Sequence, residues 1–269
     1  MTVPFVTNPL DGTPIAYDDS GGDGPAVVLL HGSALSRAIW RGLGYTPALA
    51  GFRTVRIDLR GHGRSGKPHH PDAYRMPLVA ADVTAVMDGL GLEAAHVVGY
   101  SFGARVGFTL AATVPGRIRT LATLGGTYRA QAGQIAQLFF DGYAQALRDG
   151  GMPAFVAGLQ GAGWTVDPAT RAAFLANDPL ALAAYFERTE VEPGLSEFLL
   201  PQLRLPALLL AGTRDGQRLR ESRQAADLMP NARFVELPGR THAGTLAPAG
   251  PVLGHLVPFL EGNWRPNGN

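Results

Sequence analysis

Short apolar runs and longer amphipathic stretches alternate along the chain. Residues 26–30 form a continuous apolar run of strand length, residues 35–50 carry apolar positions at helical spacing, 54–58 again reads as a strand, and 78–90 as a helix. The order continues with a buried strand ending at 97–99, a helix over 104–114, a strand over 118–124 and, much later, a strongly apolar strand over 207–211. Continuous rather than alternating apolar strands, separated by helices, predict an α/β fold with a mostly parallel sheet covered on both faces.

Between residues 126 and 203 the rhythm changes. Helical patterns follow one another at 134–147, 153–159, 168–174 and 180–186 with no strand between them. This predicts a helical lid, residues 127–203, inserted into a core made of residues 1–126 and 204–269. Eight carboxylates face four arginines in that segment, an excess that reads first as a solvated outer face and second as a mild bias against anionic substrates.

Composition narrows the picture. The 269 residues are 46% hydrophobic and 17% charged, enough for one well-formed core with an insertion. Lys and Arg number 23 against 22 acids, and no run of like charge occurs, so neither nucleic acid nor an anionic membrane is an expected partner. With no cysteine, a disulfide framework, a thiolate nucleophile and a cysteine-built zinc site are excluded, and no metal or cofactor is expected. Residues 1–10 lack a basic region followed by an apolar one, and no apolar stretch reaches membrane-spanning length. The expectation is a cytoplasmic protein.

Chemistry concentrates where strands end. Gly99-Tyr100-Ser101-Phe102-Gly103 follows a strand and opens a helix, the context of a nucleophile elbow, in which a tight turn projects the serine hydroxyl out of the sheet edge. The helix N-terminus behind it favours developing negative charge. A hydroxyl needs a base to become nucleophilic. Of seven histidines, His31, His62 and His96 sit in or beside core strands and read as structural. His69 and His70 read as solvated, and His255 lies on a C-terminal helical pattern. His242 instead follows a strand and the turn Pro238-Gly239-Arg240-Thr241, so a loop presents its ring at the sheet edge. The carboxylate that would orient it is Asp215, at the end of the apolar strand before Gly216; a turn-forming aspartate is the plainer alternative. Gly125-Gly126-Thr127, after the preceding strand, offers no acid.

His31-Gly32-Ser33 with Trp40 downstream, Asp58-Leu59-Arg60-Gly61-His62-Gly63-Arg64-Ser65, the elbow, Gly212-x-x-Asp215 and His242 together resemble the α/β-hydrolase superfamily, in its lid-bearing serine esterase and haloperoxidase-like branch. The chain departs from the pattern at Thr213, where an Asp is frequent, and at Thr241, where a Gly is frequent. The resemblance implies Ser101 as nucleophile, His242 as base, Asp215 as acid, and an oxyanion hole made by the backbone N–H groups of Ser33 and Phe102. It also makes 58–65 a structural turn, with Asp58 and Arg60 in local hydrogen bonds. A serine at the elbow argues against the haloalkane dehalogenase and epoxide hydrolase branches, which need a carboxylate there.

The expected reaction is hydrolysis of a small to medium carboxylic ester or lactone through an acyl-enzyme. Lid aromatics, Phe139, Trp164 and Tyr185 among them, would form the substrate pocket or simply the lid's own core. Carbon–carbon bond hydrolysis and cofactor-free peracid formation use the same triad. A small-molecule receptor on a hydrolase fold is the non-enzymatic alternative.

Overall fold

Along the strand Ala26–Leu30 every residue is buried, and successive side chains enter different apolar clusters: Val28 and Leu30 on one face of the sheet, Val27 and Leu29 on the other. That is what a strand covered on both faces requires. A computed structural model describes residues 3–263; Met1, Thr2 and 264–269, which the expected core included, lie outside the described residues.

The strands are β1 (Phe5–Thr7), β2 (Pro14–Asp19), β3 (Ala26–Leu30), β4 (Arg53–Ile57), β5 (Ala95–Tyr100), β6 (Ile118–Leu124), β7 (Ala207–Gly212) and β8 (Ala232–Leu237). They form one sheet in the order β1-β2-β4-β3-β5-β6-β7-β8. From β4 to β8 all neighbours are parallel, while β1 and β2 join antiparallel at one edge. The helices are α1 (Ala38–Gly42), α2 (Tyr45–Ala48), α3 (Met76–Gly89), α4 (Phe102–Thr113), α5 (Gln134–Leu138), α6 (Tyr143–Gly161), α7 (Pro168–Leu175), α8 (Pro179–Val191), α9 (Gly216–Leu228) and α10 (Gly250–Gly262). Buried residues of α3, α4 and α9 share a cluster with Val28 and Leu30, and those of α1, α2 and α10 share the other with Val27 and Leu29. Among the described residues, no helix is long and apolar enough to cross a membrane.

Three expectations need correction. The single helix over 35–50 is two short helices, because the chain turns at Gly44 with φ of 87°. The helix over 134–147 is broken after Leu138, and the one expected over 153–159 is the second part of α6. There Pro153, which has no N–H to give the preceding turn, follows Gly151 in a non-helical conformation. Arg60, expected to bond locally, is fully buried and bidentate with Asp82 of α3 (Nε–Oδ2 and Nη2–Oδ1 both 2.7 Å), with Asp11 as a further partner at 2.7 Å. Its partners come from the β1–β2 turn and from α3, so Arg60 ties the 58–65 turn to distant elements.

Helices α5–α8 fill the stretch between β6 and β7 without a strand. α7 and α8 start on matching signals: Asp167 and Asp178 cap them by accepting backbone N–H groups at 2.9–3.0 Å, each followed by proline at the first helical position. Leu147, Phe155 and Phe186 of this segment belong to the same apolar cluster as Val28, so it packs continuously onto that side of the core.

Candidate active site

The parallel strands deliver their carboxyl ends to one edge, where β5, β7 and β8 each hand on to a candidate catalytic residue. Ser101 follows β5 with φ 52° and ψ −110°; with Ala34 it is one of two non-glycine residues at positive φ among those described. That strained turn is held by close approach on both sides. A Cβ on Gly99 would stand 2.3 Å from the carbonyl oxygen of Gly103, and one on Gly103 would stand 2.1 Å from that of Leu30. Only glycine fits at either place.

Asp215 follows β7, immediately before α9, and His242 follows β8 in the loop that leads to α10. The imidazole spans the two: Nδ1 lies 2.7 Å from Asp215 Oδ2 and Nε2 lies 2.9 Å from Ser101 Oγ. An ionised carboxylate only accepts, so the proton on Nδ1 is donated to Asp215, leaving Nε2 to accept from the serine hydroxyl. The side chains of His242 and Asp215 are 13% and 12% exposed and Ser101 is 7% exposed, so the hydrogen-bonded chain is shielded but reachable.

Two supporting groups were not singled out from the sequence. Tyr100 lies beside the imidazole, ring centroids 5.3 Å apart at 32°, and its hydroxyl donates to the carbonyl of His242 at 3.3 Å. In the sequence Gly125 stands out only as lacking a carboxylate. It brings the end of β6 against the pair, and a Cβ there would lie 3.3 Å from His242 Nδ1 and 3.4 Å from Asp215 Oδ2. The elbow pattern leaves the residue before serine open, so nothing local distinguished Tyr100.

On the other side of Ser101, the backbone N–H groups of Ser33 and Phe102 have no protein acceptor among the described residues. Phe102 is the first residue of α4, where an unpaired N–H is intrinsic to a helix start. Tyr185 of α8 is 1% exposed and stands over both: its ring is 4.7 Å from that of Phe102, and its hydroxyl is 2.6 Å from Ser33 Oγ. Burial pushes the Tyr185 phenol up to about 12, so it stays a neutral hydroxyl at physiological pH. Phe139 and Trp164 belong to an aromatic cluster inside the helical segment. Phe139 packs on Phe155 and Phe186 at 5.3 Å and on Trp164 at 6.3 Å, and it reaches Tyr185 through Phe186.

The remaining histidines are placed as their sequence positions suggest. His31 Nε2 accepts the N–H of Leu59 at 3.0 Å, His96 Nδ1 meets the Thr120 hydroxyl at 2.9 Å, and His69 pairs with Asp178 at the surface. Burial depresses His31, pushes His62 down to about 3 and His96 to about 4. The unfolded chain therefore binds protons below about pH 6.5 that the folded protein refuses. The stability this neutrality provides is complete above pH 6.5 and is lost as pH falls toward the folded values. His62 and His96 together give a slope approaching about 2.7 kcal/mol per pH unit before carboxylates titrate, and His31 acts in the same direction. Urea unfolding at intervals between pH 7 and pH 5 should reveal that slope, and His62→Gln should reduce it by up to about 1.4 kcal/mol per pH unit; a flat profile would show that these rings accept protons in the fold.

Comparison with known proteins places the chain. The family model for the alpha/beta hydrolase fold matches residues 25–157. Epoxide hydrolase B of Mycobacterium tuberculosis is 48% identical over 96 residues, a match covering 35% of this chain and 26% of that protein's own length. Among solved structures, the enol-lactonase from Burkholderia xenovorans LB400 superposes with a TM-score of 0.82 at 26% identity, covering 96% of this chain and 100% of its own. A thermophilic esterase from Thermogutta terrifontis gives 0.82 at 25% identity, covering 98% and 99%. The chain belongs to the α/β-hydrolase superfamily.

Proposed function

We propose that the protein is a cytoplasmic serine hydrolase that cleaves a small to medium carboxylic ester or lactone. The observation that carries this reading is the unbroken hydrogen-bonded chain from Asp215 through His242 to Ser101 on a strained elbow. Ser101 Oγ attacks the carbonyl carbon while its proton passes to His242 Nε2, and Asp215 stabilises the imidazolium. The carbonyl oxygen becomes an oxyanion facing the N–H groups of Ser33 and Phe102, donors worth several kcal/mol when aimed at the tetrahedral intermediate. The intermediate collapses, the carbon–oxygen bond to the alcohol breaks, and the alkoxide takes the proton from His242. In a lactone that alcohol stays tethered to the acyl group. Water, deprotonated by His242, then cleaves the acyl-enzyme and restores the serine.

Substrate class follows from the surroundings and from the neighbours. Tyr185 and Phe102 form an aromatic wall beside Ser101, suited to an apolar acyl or alcohol part. The helical segment 127–203 acts as the lid that carries this wall, with Phe139 and Trp164 setting its shape from behind. Two structural neighbours are an enol-lactonase and an esterase. Epoxide hydrolase B favours a second reading, epoxide opening, but the branch that the chain resembles there forms its covalent ester through an elbow carboxylate, and residue 101 is serine.

Incubation with a fluorophosphonate, followed by peptide mapping, should give one adduct, on Ser101. p-Nitrophenyl acetate, butyrate and octanoate and a set of simple lactones should be turned over, and styrene oxide should not. Epoxide turnover without ester turnover, or an adduct at another serine, would overturn the reading.

A further inference from the structure

Ser33 and Ala34 form the loop between β3 and α1, and Ala34 adopts φ of 60°. The left-handed region is unfavourable for any residue with a Cβ, so something around the loop must hold it there. The core side holds the two ends of the loop: the N–H of Leu35 donates to the carbonyl of Gly32 at 3.3 Å, His31 Nδ1 meets that same carbonyl at 2.8 Å, and the N–H of Arg37 donates to Asp58 at 2.8 Å, but none of these bonds reaches the carbonyl of Ala34 or the hydroxyl of Ser33. From the helical segment between β6 and β7 come two contacts that do. Asn177 Nδ2 donates to the carbonyl of Ala34 at 2.9 Å, in a buried setting, and Tyr185 hydroxyl meets Ser33 Oγ at 2.6 Å. Both come from residues more than 140 positions away in sequence.

We infer that Asn177 and Tyr185 are positioning residues that clamp the Ser33–Ala34 loop in its left-handed form and so aim the Ser33 N–H at the reacting carbonyl. The inference rests on the serine-hydrolase reading for its catalytic consequence, though not for the clamp itself. Asn177 follows the C-terminus of α7, and Tyr185 lies in the middle of α8. The α7–α8 segment, which places Tyr185 against Phe102, therefore also sets the oxyanion donor. A shift of α7 and α8 by the length of a hydrogen bond would release Ala34 and turn the Ser33 N–H away. Seating of these helices over a substrate and assembly of the oxyanion hole are thus one event, which favours substrates whose size lets the helices settle.

The anchoring of Asn177 also explains why its side chain is available for this role. Nδ2 lies within 3.1 Å of the carbonyls of Ala173 and Phe174 as well, so the amide is fixed by the end of its own helix while it holds the loop. Tyr185 is fixed by its ring, edge-on to His62 at 5.3 Å and to Tyr74 at 5.9 Å. Removing its hydroxyl alone leaves that packing in place.

The test uses Asn177→Leu, Tyr185→Phe, Ser33→Ala and the double variant Ser33→Ala/Tyr185→Phe in the full chain. Two readouts are taken: backbone hydrogen exchange across residues 33–35, and kcat and KM for p-nitrophenyl butyrate. Both clamp variants should speed exchange of the loop and lower kcat by roughly ten- to a hundredfold, less than outright loss of an oxyanion donor, with KM changed by less than about twofold because ground-state binding is untouched. Tyr185→Phe should add little in the Ser33→Ala background, since the partner is already gone. Should Asn177→Leu lower the melting temperature markedly through the end of α7, Tyr185→Phe decides alone. Unchanged exchange in Tyr185→Phe, or faster exchange with unchanged kcat, would overturn the inference. If the unaltered protein hydrolyses no ester, the hydrolase reading falls, and the exchange data still decide whether the clamp exists.

Discussion

Ser101→Ala is expected to lower ester turnover by about 10⁶-fold, the scale seen when a triad nucleophile is removed from a serine hydrolase. Residual hydrolysis would come from the oxyanion donors and binding alone. The fold should survive the change. Ser101 donates only to His242, and its backbone bonds, the N–H to Leu124 and the carbonyl to Ala104 and Arg105, do not involve the hydroxyl. The positive φ at this position penalises alanine much as it penalises serine, so the melting temperature should stay within a few degrees. The fluorophosphonate adduct should disappear. Measuring kcat/KM, adduct mass and melting temperature on the same preparation checks all three. Activity above a few per cent of the original with no change in melting temperature would remove Ser101 from the reaction.

Ser101, Asp215 and His242 were legible as a group because each lies just after the carboxyl end of a strand whose apolar run is itself legible. Parallel strands in one sheet present those ends together, so three positions spread over more than 140 residues could be brought to one edge by topology alone. The elbow glycines were legible for a local reason. The tight turn leaves no space for a Cβ, and the observed approaches of 2.3 and 2.1 Å show how little space there is.

Elements whose form depends on a distant partner were not legible. β1 is three residues long, with an exposed, intermediate, exposed pattern; it is a strand only because β2 supplies its hydrogen bonds. Arg60 lies in a glycine-rich turn that suggests local bonding, whereas Asn8 and Asp11 of the β1–β2 turn and Asp82 of α3 converge to build a network around its buried guanidinium. Residues 35–50 have helical periodicity throughout, and no apolar pattern registers the turn at Gly44. The contacts of Asn177 and Tyr185 with the loop at 33–34 depend on how α7 and α8 sit over the sheet, which periodicity does not encode. In the sequence Tyr185 is one lid aromatic among several, and its distinguishing feature, a hydroxyl on Ser33, is a matter of geometry.

Asp215→Asn should lower kcat/KM by about 10⁴-fold with little change in stability, by the tautomer argument that applies to a Ser-His-Asp triad. The carboxylate accepts from His242 Nδ1 at 2.7 Å, and this bond keeps Nε2 unprotonated and able to take the proton of Ser101. An asparagine of the same shape can turn its NH₂ toward Nδ1. The ring then carries its proton on Nε2, which donates to Ser101 instead of accepting from it, and the serine loses its base. Even with the amide oxygen facing Nδ1, a neutral amide does not offset the charge of the imidazolium formed during attack. Asp58→Asn is the control, because Asp58 is the other buried carboxylate close to the site loops. It accepts the N–H groups of Arg37 and Arg64 at 2.8 Å and pairs with the Arg37 guanidinium. Weakening those bonds loosens the 58–65 turn, so the loss should appear in melting temperature and much less in turnover per folded molecule. Turnover of both variants is to be measured beside circular-dichroism melts. If Asp58→Asn proved as damaging to turnover as Asp215→Asn while remaining folded, the acid of the triad would have to be reassigned.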